Sequence, residues 1–120
     1  MSAFLIVDDE LGLAEMSGEI LSGRGHDVVT APNGKLALSW LESMRPDVIL
    51  LDVMMPVMSG LEVLQELKTK KKTQKIPVIL MSAAADSIPP EQRQLAAGLL
   101  VKPFTFDQLM AAVRTLLPQA

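Results

Sequence analysis

A chain of 120 residues, 49% apolar and 21% charged, has the size and composition of one compact domain and too little charge to stay disordered. It carries no cysteine and a single histidine, His26, which excludes disulfides, thiol catalysis, thiolate metal sites, multi-histidine zinc sites and most catalytic triads. A net charge of −3 argues against direct binding of nucleic acid.

The first apolar run, Phe4-Leu5-Ile6-Val7, is short, lacks a basic leader and ends in Asp8-Asp9-Glu10; it reads as a strand and not as an export signal. No run approaches the roughly 20 apolar residues that cross a bilayer, so a cytoplasmic protein without membrane contact is expected. Leu11, Ala14, Ile20 and Leu21 form a helical stripe that Gly23 and Gly25 end. A weaker strand follows at Val28-Val29-Thr30, then a second stripe of Leu36, Ala37, Trp40 and Leu41 that stops before Arg45-Pro46. Val48-Ile49-Leu50-Leu51 is the next strand. The stripe Leu61, Val63, Leu64 and Leu67 then runs into a basic segment, Lys68 to Lys75. Pro77-Val78-Ile79-Leu80-Met81 is a further strand, a short helix is expected after Pro89-Pro90, and Leu99-Leu100-Val101 is the last strand. The final helix opens at Thr105, where Gln108 completes a capping box, and carries Leu109, Val113, Leu116 and Leu117.

Continuous hydrophobicity marks strands buried on both faces, and their alternation with helices predicts a doubly wound α/β fold with a parallel sheet. Right-handed crossovers then bring every strand C-terminus to one edge. Asp8 and Asp9 follow the first strand, Asp52 the third, Ser82 the fourth and Lys102 the fifth, so these groups crowd together. Two carboxylates 4 Å apart repel by about 4 kcal/mol at an effective dielectric of about 20. A raised carboxyl pKa or a bound hard cation relieves that repulsion, and an all-oxygen donor set suits Mg²⁺. With a lysine and a hydroxyl for phosphoryl oxygens, the set is equipped for phosphoryl transfer, with Asp52 as nucleophile.

The segments Phe4-Leu5-Ile6-Val7-Asp8-Asp9-Glu10, Leu51-Asp52-Val53-Met54-Met55-Pro56-Val57-Met58-Ser59-Gly60, Pro77-Val78-Ile79-Leu80-Met81-Ser82-Ala83 and Val101-Lys102-Pro103-Phe104 together resemble the receiver domain of two-component response regulators, over essentially the full chain. The resemblance implies a flavodoxin-like sheet of five strands in order 2-1-3-4-5 with five helices, as a single receiver domain over residues 1–120 without an effector domain. It implies a phosphoacceptor and not an enzyme, with at most slow autophosphatase activity. Asp52 would take a phosphoryl group from a histidine kinase or phosphotransfer protein. Asp9 and Asp52 would ligate Mg²⁺ with the Met54 backbone carbonyl, and Asp8 through water. Ser82 and Lys102 would contact the phosphoryl group, and the Lys102–Pro103 bond would be cis. By the same analogy the first helix and the loop after Lys102 dock the kinase, the output is a protein contact, and the domain is a monomer or weak dimer. Met54 and Ala84, which carry no side-chain hydrogen bond for an attacking water, imply a long phosphorylated lifetime.

One departure stands out. The family usually has Tyr or Phe three residues before the lysine, as a switch that follows the hydroxyl residue; here the position is Leu99, and the interval from Ser82 to Lys102 is short. A rival reading is therefore a constitutive interaction module with a weakened switch. An aspartyl-phosphate phosphatase fits worse, since 120 residues leave no cap and Met54 stands where such enzymes carry a second acid. Outside this set, the lysine run reads as a solvated helix end, His26 as a surface turn residue, Trp40 as core or half-buried helix, and Met54, Met55 and Met58 as packing over the site.

Overall fold

The computed structural model describes residues 2–117. Five parallel strands, β1 (Ala3–Val7), β2 (Asp27–Ala31), β3 (Val48–Asp52), β4 (Val78–Ser82) and β5 (Gly98–Val101), form one sheet in the order β2-β1-β3-β4-β5. Five α-helices alternate with them: α1 (Leu11–Gly23), α2 (Gly34–Trp40), α3 (Gly60–Thr69), α4 (Pro90–Arg93) and α5 (Phe106–Arg114). A 3-10 turn at Ala85–Ser87 precedes α4. The expected fold class and strand order are both found.

Side chains alternate across a strand, and the alternation sorts the apolar runs into two cores. Leu5, Val7, Ile49, Leu51, Val78 and Leu80 pack under α2 and α3 with Ala37, Val63, Leu64 and Leu67. Phe4, Ile6, Val48, Leu50, Ile79, Met81 and Leu100 pack under α1 and α5 with Ala14, Leu21, Leu109 and Val113. Every residue of β3 and β4 is buried, which is why those runs show no polar alternation.

Helix faces depart from the sequence reading where small residues carry the contact. In α1 the buried positions are Ala14, Ser17, Gly18 and Leu21; Leu11 is exposed. A Cβ at Gly18 would stand 3.5 Å from Val28 Cγ1, in ordinary van der Waals contact, so the helix lies on β2 at a distance that a small residue fills. In α2 the buried residues are Gly34 and Ala37, while Trp40 is 45% exposed over a shallow hollow with Thr30, Pro32 and Leu36. The expected capping box of α5 is present in both directions, Gln108 N–H to Thr105 Oγ1 at 3.1 Å and Thr105 N–H to Gln108 Oε1 at 2.8 Å. That helix ends at Arg114, so Leu116 and Leu117 pack beside the core from beyond it.

Three lysines of the basic segment have partners nearby in the fold. Lys68 Nζ donates to Gln74 O at 3.1 Å and Ile76 O at 3.0 Å, Lys72 Nζ donates to Glu42 O at 3.0 Å, and Lys70 pairs with Glu66 at 3.5 Å. His26 is half-buried: its Nδ1 accepts from Ser2 N–H at 3.3 Å and its ring meets Phe4 edge-on at 5.1 Å.

Candidate functional site

Register decides which residues meet. Val7 lies level with Leu51, Asp52 with Met81 and Ser82 with Val101, so Asp8, Asp52, Ser82 and Lys102 reach the same sheet edge. Asp8, Asp52 and Lys102 also continue the alternation of Ile6, Leu50 and Leu100, which turns their side chains to one side of that edge. The Lys102 ammonium stands 3.2 Å from Asp52 Oδ1, 3.3 Å from Asp8 Oδ2 and 3.2 Å from Glu10 Oε1. Its backbone N–H donates to Ser82 O at 2.9 Å, and the following peptide bond to Pro103 is cis.

Asp8 and Asp52 are 1% and 2% exposed, so their charges are stripped of most water. Burial, reinforced by the Asp8 charge and opposed by Lys102, pushes the Asp52 carboxyl from 3.8 up to about 6. Burial works against the Lys102 charge, yet Asp8, Asp52 and the contact with Glu10 hold its pKa above the usual lysine value. Backbone amides anchor the acids: Glu10 N–H donates to Asp8 Oδ1 at 2.9 Å and Met54 N–H to Asp52 Oδ1 at 3.3 Å. Ser82 is fully buried and its Oγ accepts from Ala84 N–H at 3.0 Å, which leaves the hydroxyl proton to donate.

Carboxylate oxygens of Asp8, Glu10 and Asp52 lie within 4.8 Å of one another. Hard oxygen donors at that spacing fit a small divalent cation. Asp9 is exposed and is not part of this group. Glu10 is the residue that sequence reasoning passed over, although it directly follows the acidic pair. Two segments frame the site. The β3–α3 loop carries exposed Met54, buried Met55 and fully exposed Val57, whose φ is +70°. Beside Lys102, a hollow of about 380 Å³ is lined by Glu10, Leu13, Met16, Ala83, Pro103 and Phe104. Leu99, on β5 opposite Leu80, is half-buried against the α2–α3 core.

A doubly wound sheet with a buried acid pair, a hydroxyl and a lysine gathered at its C-terminal edge is the arrangement of a receiver-like α/β domain, and the relatives identify the family. Residues 4–114 match the response regulator receiver domain, and the chain belongs to that family of two-component phosphoacceptor switches. It is 39% identical over 116 residues to the probable transcriptional regulatory protein TcrX of Mycobacterium tuberculosis, covering 94% of this chain and 48% of TcrX. The chain spans about half the length of the curated relatives it matches. Among solved structures it is similar to the response regulator TrrA of Thermotoga maritima in complex with Mg²⁺ and BeF, with TM-score 0.88, 38% identity and coverage of 98% of this chain and 100% of that one. TrrA in complex with the histidine kinase ThkA matches with TM-score 0.86, 37% identity and the same coverage. The chemotaxis protein CheY4 of Vibrio cholerae matches at 0.86 and 32% over 98% of this chain and 99% of its own.

Proposed function

We propose that Asp52 is the phosphoacceptor of this receiver and takes its phosphoryl group from a histidine kinase or phosphotransfer protein. The observation that carries the reading is the buried Asp52 carboxylate, 3.2 Å from the Lys102 ammonium and beside Asp8. An Asp52 Oδ attacks the phosphorus of a phosphohistidine; the P–O bond forms as the P–N bond breaks, and the imidazole leaves with the bonding pair and takes a proton from solvent. Lys102 balances the charge that gathers on the equatorial oxygens, and the Ser82 hydroxyl donates to one of them. Asp8, Asp52 and the Met54 carbonyl would hold Mg²⁺, with Asp9 joining them by turning in from its exposed position, and the ion would supply charge neutralisation for the incoming phosphoryl group. The hollow between the start of α1 and the loop after Lys102 suits the donor protein, and the Mg²⁺–BeF complex of TrrA and its complex with ThkA support the same assignment by similarity.

Signalling follows from the added charge of about −1.5 to −2, which draws Lys102 and Ser82 inward and rearranges the loops they hold. Spontaneous hydrolysis is slow in this reading, because neither Met54 nor Ala84 can hold a water by a side-chain hydrogen bond. Leu99, aliphatic and already packed against the core, favours a second reading in which partners bind regardless of phosphorylation. Intact mass after incubation with phosphoramidate tests the first. One phosphoryl group is expected on the wild type only with Mg²⁺ present, and none on Asp52→Asn. Modification of Asp52→Asn would place the acceptor on another residue, while equal partner affinity before and after phosphorylation, or no gain of mass together with no Mg²⁺ binding, would shift the assignment to the constitutive module.

A further inference from the structure

Three carboxylates surround the Lys102 ammonium: Asp8 at 3.3 Å and Glu10 at 3.2 Å accept hydrogen bonds from it, and Asp52 stands in ion-pair contact at 3.2 Å. An approaching phosphoryl oxygen must share the ammonium with these carboxylates, and it gains Lys102 fully when one of them lets go. Releasing Asp8, or Asp52 before its oxygen has bonded to phosphorus, would strand a charge whose side chain is 0% or 2% exposed, and a buried unpaired carboxylate is costly. The Glu10 side chain is 64% exposed, so water rehydrates it as it leaves.

Glu10 is also aimed at Lys102 by its neighbours. It occupies the N-cap of α1, yet its side chain makes no cap hydrogen bond. Its N–H is held by Asp8 Oδ1 at 2.9 Å, which fixes the backbone beside the acid that Lys102 also contacts. A glutamate serving only the helix N-terminus would have no need of the lysine.

We propose that Glu10 is a positioning residue: it holds Lys102 in the unphosphorylated protein and competes with the phosphoryl group for it, restraining entry into the phosphorylated state. This rests on Asp52 being the acceptor. An exposed ion pair is worth little, and removing it also removes one negative charge from the path of an anionic donor. Glu10→Ala therefore raises the phosphorylation rate with phosphoramidate at saturating Mg²⁺ by about two- to fivefold, and tightens beryllofluoride binding by a similar factor. In that reaction the Asp52 O–P bond forms, the P–N bond breaks, and ammonia leaves with the bonding pair. Glu10→Gln, which keeps a neutral acceptor, falls between wild type and Glu10→Ala.

Rates, beryllofluoride affinity, Mg²⁺ affinity and Tm are measured for the three proteins. Faster modification and tighter beryllofluoride binding in the order Ala, Gln, wild type, each at Mg²⁺ saturating for that variant, is the supporting result, and a merely structural glutamate would move Tm alone. Equal or slower modification of both variants overturns the proposal, as does loss of Mg²⁺ affinity in Glu10→Ala, which would make Glu10 a metal ligand. A wild type that neither gains a phosphoryl group nor binds beryllofluoride with Mg²⁺ overturns it together with the assignment of Asp52.

Discussion

Asp52 is more stable protonated in this fold than in the unfolded chain, and that has a sign that can be measured. With its pKa raised from 3.8 to about 6, the folded protein binds more protons than the unfolded one between those values, so Asp52 lowers stability as pH rises through the window. An asparagine does not titrate. Denaturant unfolding is therefore expected to show Asp52→Asn gaining on the wild type between pH 4 and pH 7, by on the order of 2 kcal/mol, with Mg²⁺ shrinking the difference at pH 7. A difference independent of pH would contradict the burial argument. Val57 is the second residue with a local cost. A β-branched side chain at φ +70° loses about 1–2 kcal/mol to contact between its Cβ and the following carbonyl, and its full exposure returns nothing through packing. Val57→Asn should raise the unfolding free energy by about 1 kcal/mol without altering the core.

Among the elements, α3 shows how a helix start can constrain the acceptor strand. Ser59 caps it through Glu62 N–H at 3.3 Å, and Gly60 follows as its first residue. Gly60 N–H donates to Val53 O at 2.9 Å, and a Cβ there would lie 2.8 Å from the carbonyl carbon of Asp52 and 2.8 Å from Val53 Cα. Backbone cannot swing aside as a flexible side chain does. Gly60→Ala is expected to destabilise by about 1–3 kcal/mol and to slow phosphorylation by shifting Asp52, which chemical denaturation and the mass assay read separately. The stretch between Ser82 and Lys102 behaves differently. Its short length is absorbed by α4, a single turn of four residues, and Leu99 then fills its place on β5 by packing rather than by offering a ring that can swing.

The molecule as a unit is held by two cores on opposite faces of one sheet, and this explains what could be read in advance. Buried parallel strands are short, dense and β-branched, so β1, β3 and β4 stand out along the chain; β3 and β4 end in a polar residue, and β1 is followed by one, at the shared sheet edge. Fold class, strand order and the set Asp8, Asp52, Ser82 and Lys102 were accordingly legible, the order through family resemblance. Helix faces were harder to read. Ser17 and Gly18 are buried by virtue of being small, which hydrophobicity does not register, and Leu11 and Trp40 look like core residues yet face outward. The length of α5 was overread because Leu116 and Leu117 continue an apolar pattern after the backbone has left the helix.

The amino-acid order alone thus determined where strands end and which chemical groups end them, because strand burial and turn chemistry are properties of a few adjacent residues. It did not determine which partner each charge takes. That depends on distances between chain segments far apart in sequence, as with Lys102 and Asp8, 94 positions apart. Only the packed sheet brought a third carboxylate, Glu10, onto the lysine, left Asp9 outside the group and buried Asp52 deeply enough to raise its pKa. Electrostatic pairing acts through space and through exclusion of water, and both come into being only when the sheet and helices close around the site.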